Sequence, residues 1–194
     1  YFNGTESAAQ TAVLWSSATA NYYGVESPPN AVVKDWSPSK DGGMMEEFYG
    51  VCEALFRSHV PFAILDEECL TPEKLEKYQC VILPNTSCLA STSVDALTQF
   101  VEQGGRLVAT GETSLYNEYG GLLGDFSLSK VLGCTFDNEI FGPLPFDYIQ
   151  IETIQPWTQG ITRELLPAPT LGLSVKPTNG KVCVSYYEKL PSRY

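Results

Sequence analysis

The sequence predicts an α/β fold with a mostly parallel central sheet. Two observations predict it: short apolar runs typical of buried strands alternate with segments of helical periodicity, and Gly104-Gly105 separates one such helix from the next strand. Alternating strands and helices favour parallel strands joined by right-handed crossovers, with helices on both faces of the sheet. We therefore expect a flavodoxin-like α/β domain.

The first half of the pattern begins with an apolar run at 12–15, which predicts the first strand. Residues 18–43 are rich in Asn, Gly, Ser and Pro and predict a long irregular loop with no helix before its proline pair. Apolar residues then recur at helical spacing over 43–58 and predict a helix that packs on the sheet. Residues 61–65 predict a second strand, and Thr71-Pro72-Glu73 has the composition of a helix start.

The same alternation continues in the middle of the chain. Residues 80–83 predict the third strand, and Ser91 or Ser93 can cap the helix that follows. That helix is expected to stop at Gly104-Gly105, because glycine readily adopts the left-handed conformation that ends a helix. Residues 106–110 then predict the fourth strand.

The alternation ends near residue 134. Asp125 is expected to cap a last helix that ends at Gly133, and short β-like runs follow. We expect one domain over 1–194, with a core at about 11–135 and an extension with extra strands at 136–194. Because the chain stops directly after a strand-like run, it is expected to be a fragment of a larger protein. The β-like runs lie at 148–154, 170–175 and 182–187.

Composition limits the classes of partner. The chain has 194 residues, 12 Lys and Arg against 23 Asp and Glu, and a net charge of -11. This charge repels nucleic acid and anionic lipid, and no apolar run reaches the roughly 20 residues of a membrane-spanning helix. We therefore expect neither a nucleic-acid nor a membrane partner.

Six cysteines are spread along the chain, without the Cys-x-x-Cys spacing of a zinc or redox site. We expect no metal and no cofactor. Reduced, structural cysteines are favoured over disulfides, which favours a cytoplasmic location.

Polar residues follow three of the predicted strands. Because the carboxyl ends of parallel strands meet at one edge, these residues should share a crevice. One interpretation is a small-molecule or sugar pocket with Glu112 and Asn85 as hydrogen-bonding groups. The other is that these side chains cap helices and satisfy turns. The candidate ligand-binding residues are Ser16, Ser17, Asn85, Glu112, Thr113 and Ser114.

The sequence does not support nucleophilic catalysis. A nucleophile needs a base within reach, and the single histidine, His59, is predicted at the opposite edge of the sheet, before the second strand. Its expected role is at a helix carboxyl end, so a triad built on Ser114 is not expected. Only Glu112 among the acidic residues follows directly on a core strand, and no glycosidase carboxylate pair can be assigned. We therefore name no catalytic residue.

Two phosphate-linked functions make specific demands on the sequence. A receiver domain needs acidic residues after the first and third strands, where this chain has Ser16-Ser17 and Pro84-Asn85. A flavodoxin needs a Ser/Thr-rich loop that runs into a helix, and no helix is expected between Ser16 and the proline pair Pro28-Pro29. Neither function is favoured.

Several blocks of sequence form a recognisable pattern. They are Ala12 to Ser17, Tyr22 to Gly24, Glu47 to Tyr49, Leu55 to Phe62, Tyr78 to Asn85, Phe100 to Gly105, and Ala109 to Tyr116. Together these blocks resemble the β-galactosidase trimerisation domain, the class I glutamine amidotransferase-like middle domain of multidomain glycoside hydrolases. The resemblance covers about 11–135, and its most specific part runs from Phe100 to Ser114.

The resemblance implies a three-layer sandwich that has the architecture of an amidotransferase but not its catalytic activity. It implies a non-catalytic domain that follows a catalytic (β/α)8 barrel in the parent chain, forms a homo-oligomer, with a trimer suspected, and contacts carbohydrate. At Gly111 to Ser114 the chain has Glu and Thr where a working amidotransferase presents cysteine. An independent amidotransferase-like hydrolase and a ligand-sensing domain remain the alternatives.

Overall fold

The computed structural model of the chain describes residues 4–5, 7–23, 43–141, 147–163, 165–169 and 172–187. It divides into two compact units, Tyr1–Val131 and Leu132–Tyr194. The division lies close to residue 135, where the alternating core was expected to end. The part of the long polar loop at 24–42 lies outside the described residues.

A four-stranded parallel sheet forms the centre of the first unit. Its strands are β1 (Thr11–Trp15), β2 (Phe62–Asp66), β3 (Cys80–Leu83) and β5 (Arg106–Ala109), in the order β2-β1-β3-β5. The predicted parallel α/β fold is confirmed, with strand bounds within two residues of those expected. Both β1 and β3 have a hydrogen-bonded neighbour on each side, and β1 has three consecutive buried residues, Ala12 to Leu14.

One face of the sheet is covered by α2 (Met44–Arg57). Val13 of β1 packs with Met44 and Phe48 in a buried cluster. The Trp15 and Phe48 rings meet edge to face, with their centroids 5.2 Å apart. The predicted helix over 43–58 is therefore confirmed. Glu47, in the first turn of α2, accepts a hydrogen bond from the Thr110 hydroxyl.

The opposite face of the sheet is fully buried at Leu14 and Leu83, and α4 (Ser91–Glu102) contributes Leu97 and Phe100 to the buried interior. The capping prediction for α4 was wrong: its N-cap is Ala90, with no side-chain cap bond, so Ser91 and Ser93 lie inside the helix. The predicted stop is confirmed, because Gly104 has a φ of +97°. The Gly105 amide then donates to the Phe100 carbonyl at 2.9 Å.

The short helix α3 (Pro72–Leu75) starts as predicted, since the Thr71 hydroxyl accepts from the Lys74 amide at 3.4 Å. Two other expectations were wrong. A helix, α1 (Ser17–Tyr22), begins directly after Ser16, inside the segment expected to be an irregular loop. The last helix, α5 (Ser129–Leu132), is shorter than expected, and Asp125 accepts from the neighbouring Phe126 amide at 2.8 Å instead of capping it.

A small parallel pair of strands lies beyond the carboxyl ends of β3 and β5. It consists of β4 (Cys88–Leu89) and β6 (Tyr116–Asn117) and was not predicted. Each strand has two residues, too few for a visible alternation of apolar and polar side chains. The pair ties the two turns that follow β3 and β5 to each other.

The second unit is built from short antiparallel strands. The strands are β7 (Cys134–Phe141), β8 (Tyr148–Ile151), β9 (Leu165–Pro167), β10 (Gly172–Pro177) and β11 (Val184–Tyr186). A two-stranded sheet pairs β7 with β10, and a three-stranded sheet has the order β11-β8-β9. The expected runs at 148–154, 170–175 and 182–187 contain strands, whereas β7 and β9 were not predicted.

Burial is unequal between the units. All of the buried hydrophobic side chains among the described residues belong to the first unit, from Ala9 to Leu128. None of the six cysteines, all of which lie among the described residues, forms a disulfide; Cys88 is buried and Cys69 is exposed. None of the described helices is long and apolar enough to span a membrane.

Candidate functional site

The structure brings most of the predicted crevice residues to the carboxyl edge of the sheet. Asn85 follows β3, and the turn 111–114 follows β5; the Asn85 side chain and this turn are in hydrogen-bond contact. Ser16 follows β1 and reaches the strand β4 rather than the turn. Ser17 is the half-buried first residue of α1.

Ser16 starts the helix that sequence reasoning missed. Its hydroxyl accepts from the Thr19 amide at 2.9 Å, which is the usual bond of a serine N-cap. The Thr19 hydroxyl in turn accepts from the Cys88 amide at 3.0 Å. A six-residue helix gains little stability by itself, so these contacts to the β4 strand hold it in place.

Glu67 is a buried carboxylate that the sequence did not single out. Its Oε1 accepts from the Ala18 amide at 2.7 Å, in the first turn of α1, while Oε2 is buried without a hydrogen-bond partner. Burial raises the pKa of this carboxyl above its usual range. The carboxylate therefore anchors the start of α1 in an environment that disfavours its charge.

The Asn85 amide holds the turn after β5. Asn85 Oδ1 accepts from the Glu112 backbone amide at 2.9 Å and from the Ser87 hydroxyl at 2.9 Å. Its own backbone amide donates to the Thr110 hydroxyl at 3.0 Å. Asn85 has a φ of +40°, a conformation that asparagine tolerates better than most residues. The side chain thus satisfies the turn internally.

Thr113 and Ser114 also bond mainly within the fold. The Thr113 hydroxyl accepts from the Thr86 amide at 3.0 Å and donates to the Thr110 carbonyl at 2.7 Å. The Ser114 hydroxyl accepts from the Leu128 amide at 3.3 Å. Both residues are buried, as expected for side chains that replace backbone hydrogen bonds in a tight connection.

Glu112 lies between two tyrosines. Its Oε2 accepts from the Tyr116 hydroxyl at 2.7 Å, and its Oε1 accepts a short bond from the Tyr23 hydroxyl. The two rings meet edge to face with centroids 5.7 Å apart. Burial, together with the Glu112 carboxylate, raises the pKa of both phenols well above the ordinary value. The three residues form a tyrosine–glutamate cluster with protonated phenols.

Position 111 is the sharp turn at the end of β5. In α/β hydrolases the nucleophile occupies a strained strand-end turn of this kind. Here the residue is Gly111, with a φ of +56°, and a Cβ at this position would meet Asn85 Oδ1 at 2.5 Å. The turn has no reactive side chain at this residue, and the space that one would need is filled by the Asn85 amide.

Neither Cys88 nor His59 supplies the missing chemistry. Burial raises the pKa of the Cys88 thiol to about 11, so the thiol is protonated at neutral pH and a poor nucleophile. His59 is exposed, three residues before β2, at the edge of the sheet opposite the crevice. It lies at the end of α2, the position expected for it, and has a φ of +55°.

Among the described residues, no three His, Cys, Asp or Glu side chains form a metal-binding group.

The phenols of the tyrosine–glutamate cluster should make the fold sensitive to alkaline pH. The unfolded chain releases the protons of Tyr23 and Tyr116 near the ordinary pKa of 10. The folded protein keeps both protons to a higher pH, because the pKa of each phenol is raised. The contribution of the phenols to the free energy of unfolding is therefore fully present below pH 10 and falls as the pH rises beyond it. We expect the double variant Tyr23→Phe/Tyr116→Phe to show a shallower fall, measured by urea unfolding at a series of alkaline pH values.

The matched control is Tyr119→Phe, at an exposed tyrosine of the neighbouring loop. It should leave the pH dependence of unfolding unchanged. Equal slopes in the wild type and the double variant would contradict the assignment of the alkaline transition to this cluster.

The rim beside the cluster carries exposed apolar side chains. The Tyr22 and Tyr119 rings meet edge to face with centroids 6.1 Å apart, and Leu122 and Leu123 are exposed nearby in the same loop. Asn117 Oδ1 orders this loop by accepting from the Tyr119 amide at 3.0 Å and from the Gly121 amide at 2.9 Å. The rim is thus a fixed aromatic surface.

Sequence reasoning missed the partners of Glu112. Tyr23 and Tyr116 were noted only as parts of two separate blocks of similarity. One signal was available: Glu112 and Tyr116 are four residues apart, after a core strand. No sequence signal pairs Tyr23 with Glu112, because 89 residues separate them.

Comparisons with known proteins agree on the fold. The sequence model of a family described as "Beta-galactosidase trimerisation domain" matches residues 9–189. No curated protein matches the chain. The β-galactosidase from Bacillus circulans sp. alkalophilus is similar in structure, with a TM-score of 0.74 and 21% identity over 95% of this chain and 25% of that chain.

Two further solved structures extend the comparison. The β-galactosidase from Rahnella sp. R3 has a TM-score of 0.68 and 19% identity, over 93% of this chain and 25% of that chain. A ThuA-like protein from Bacteroides uniformis has a TM-score of 0.59 and 16% identity, over 96% of this chain and 72% of that chain. This chain therefore spans about a quarter of the length of these two galactosidases.

Proposed function

Because this chain belongs to the β-galactosidase trimerisation domain family, we propose that it assembles subunits of a glycoside hydrolase and performs no catalysis of its own. The match over 9–189 carries the proposal, since it covers both compact units. We propose further that the parent protein supplies a catalytic (β/α)8 barrel and forms a homotrimer.

The geometry of the crevice supports a non-catalytic role. The turn after β5 has a positive φ at Gly111 and at Ser114, and the side chains of Asn85, Thr113 and Ser114 bond within the fold. Nucleophilic catalysis needs an activated group next to a base. The buried thiol of Cys88 is protonated at neutral pH, and the single histidine is at the other edge of the sheet.

The mass of the chain in solution tests this proposal. A monomer has a mass of 21.3 kDa, and sedimentation equilibrium of the wild-type chain should give a concentration-dependent mass that approaches three times this value. A monomer at every concentration would contradict assembly by this chain.

An assay of galactoside hydrolysis provides a second test of this proposal. The chain alone should show none, whereas turnover that is lost in Glu112→Gln or Ser114→Ala would instead favour an independent hydrolase.

The aromatic rim favours a second candidate function, contact with carbohydrate. Exposed tyrosine rings stack on sugar faces, and Tyr22 and Tyr119 lie beside the crevice whose polar residues were predicted to bind a ligand. In this proposal galactosides or oligosaccharides stack on the two rings. The predicted ligand-binding set at the crevice is Ser16, Ser17, Asn85, Glu112, Thr113 and Ser114.

Titration calorimetry with galactose and lactose tests this second function. Binding by the wild type that is lost in Tyr22→Ala/Tyr119→Ala would support it. The control, Tyr49→Ala, replaces an exposed tyrosine of α2 and should bind as the wild type does. Absence of binding in the wild type would contradict it.

A further inference from the structure

One segment of the second unit exposes apolar side chains with no charge among them. Residues 154–161 read Ile-Gln-Pro-Trp-Thr-Gln-Gly-Ile, in a chain whose net charge is -11. Ile154 is 82% exposed, Trp157 is 66% exposed and Ile161 is 43% exposed. We refer to residues 154–161 as the tryptophan turn.

The tryptophan turn is held in a defined conformation. Pro156–Thr158 form a turn of 3-10 helix, and the Thr158 hydroxyl, which is buried, accepts from the Gln155 amide at 2.8 Å. The Ile161 amide donates to the Thr158 carbonyl at 3.0 Å. These hydrogen bonds therefore fix the position at which Trp157 is displayed, which lowers the ordering cost of burying that ring against a partner.

The absence of charge favours a second copy of this chain as the partner. Two copies that each carry a net charge of -11 repel one another, and a contact between them is least costly where no carboxylate must be desolvated. The exposed apolar flank of α2 is a poorer candidate, because Tyr49 and Phe56 share that helix with Glu46, Glu47 and Glu53.

The exposed area suits the centre of an interface. Trp157, Ile154 and Ile161 together expose on the order of 400 Å² of apolar surface, against about 800 Å² buried per partner in a stable interface. Trp is enriched at the few positions that dominate binding energy, and uncharged polar residues such as Gln155 and Gln159 suit the rim around them. All of the buried hydrophobic side chains described lie outside this unit, so its own core does not compete for these groups.

We propose that the tryptophan turn is the anchor by which one copy of this chain binds a second copy. The inference rests on the proposed assembly function and names the surface that performs it. In a cyclic trimer each contact joins two different surfaces, so the turn of one copy binds another region of the next copy.

Sedimentation equilibrium of the full chain tests the anchor. Ile154→Ser/Trp157→Ser should raise the dissociation constant of self-association by at least about 30-fold, as expected for the loss of dominant interface residues. Trp157→Phe should retain most of the association. Gln159→Ala, in the same turn, removes an exposed polar side chain and should associate as the wild type does. Circular dichroism and thermal unfolding verify that each variant is folded.

Fluorescence gives an independent readout. Burial of Trp157 in the contact should shift the wild-type emission to shorter wavelength as concentration rises, and Trp157→Phe should abolish that shift while still associating. If the wild type associates and Ile154→Ser/Trp157→Ser associates equally well, the anchor is wrong and the assembly function stands. Equal weakening by Gln159→Ala also contradicts the anchor, and a monomeric wild type contradicts both proposals.

Discussion

Gly111→Ala is expected to lower the free energy of unfolding by about 3 kcal/mol, because strain and collision act at the same residue. The backbone there has a φ of +56°, and the new Cβ would meet Asn85 Oδ1 at 2.5 Å. Asn85 cannot move freely, since its Oδ1 accepts from the Ser87 hydroxyl and the Glu112 amide. Urea unfolding followed by circular dichroism measures the change.

Gly124→Ala separates the two causes. Gly124 also has a positive φ, +82°, but a Cβ added at this residue would have no atom within 4 Å. This variant should lose only the conformational part, about 1 kcal/mol. If Gly111→Ala lowers the free energy of unfolding no more than Gly124→Ala does, the Asn85 side chain does not fill the space that a side chain at position 111 would need.

Glu112→Ala is the second large effect, with an expected loss of about 2–3 kcal/mol in the free energy of unfolding. The substitution removes the acceptor of two phenol hydroxyls, those of Tyr23 and Tyr116, and leaves them partly buried. The substitution also removes the hydrogen bond that holds Tyr23, directly after α1, to the crevice. Glu112→Gln keeps an acceptor oxygen and should lose only about 1 kcal/mol. Chemical denaturation at neutral pH measures both variants.

Glu118→Ala, at a half-buried carboxylate of the same loop, serves as the control and should change stability by less than about 0.5 kcal/mol. A double-mutant cycle between Glu112→Ala and Tyr116→Phe should show coupling, because the two side chains share a hydrogen bond. Additive effects would contradict the cluster as the source of the loss.

The parallel core was predictable because its strands are long enough and apolar enough to stand out. β1 has three consecutive buried residues, Ala12 to Leu14, and α2 and α4 show clear helical periodicity. Elements held by distant contacts were missed. The helix α1 begins at Ser17, after its N-cap Ser16, and depends on a hydrogen bond between Thr19 and Cys88, 69 residues away, which no local pattern reveals.

Most of the residues predicted to share a crevice lie at the carboxyl edge of the sheet, but their internal bonding could not be predicted. Ser16 proved to be a helix cap, and Thr113 and Ser114 satisfy backbone groups, as one of the two initial interpretations held. Pairing Glu112 with Tyr23 needs the positions of two separate turns in space. The ligand-binding role of the six residues stays a prediction.

The unequal exposure of the six thiols allows the protein to be labelled at one position for measurements of subunit assembly. Cys69 is exposed at the end of a short 3-10 turn, whereas Cys88 is buried with a pKa of about 11. A maleimide dye at neutral pH should therefore react first at Cys69 of the unmodified protein. Mixing donor-labelled and acceptor-labelled samples would then report subunit exchange in real time by energy transfer.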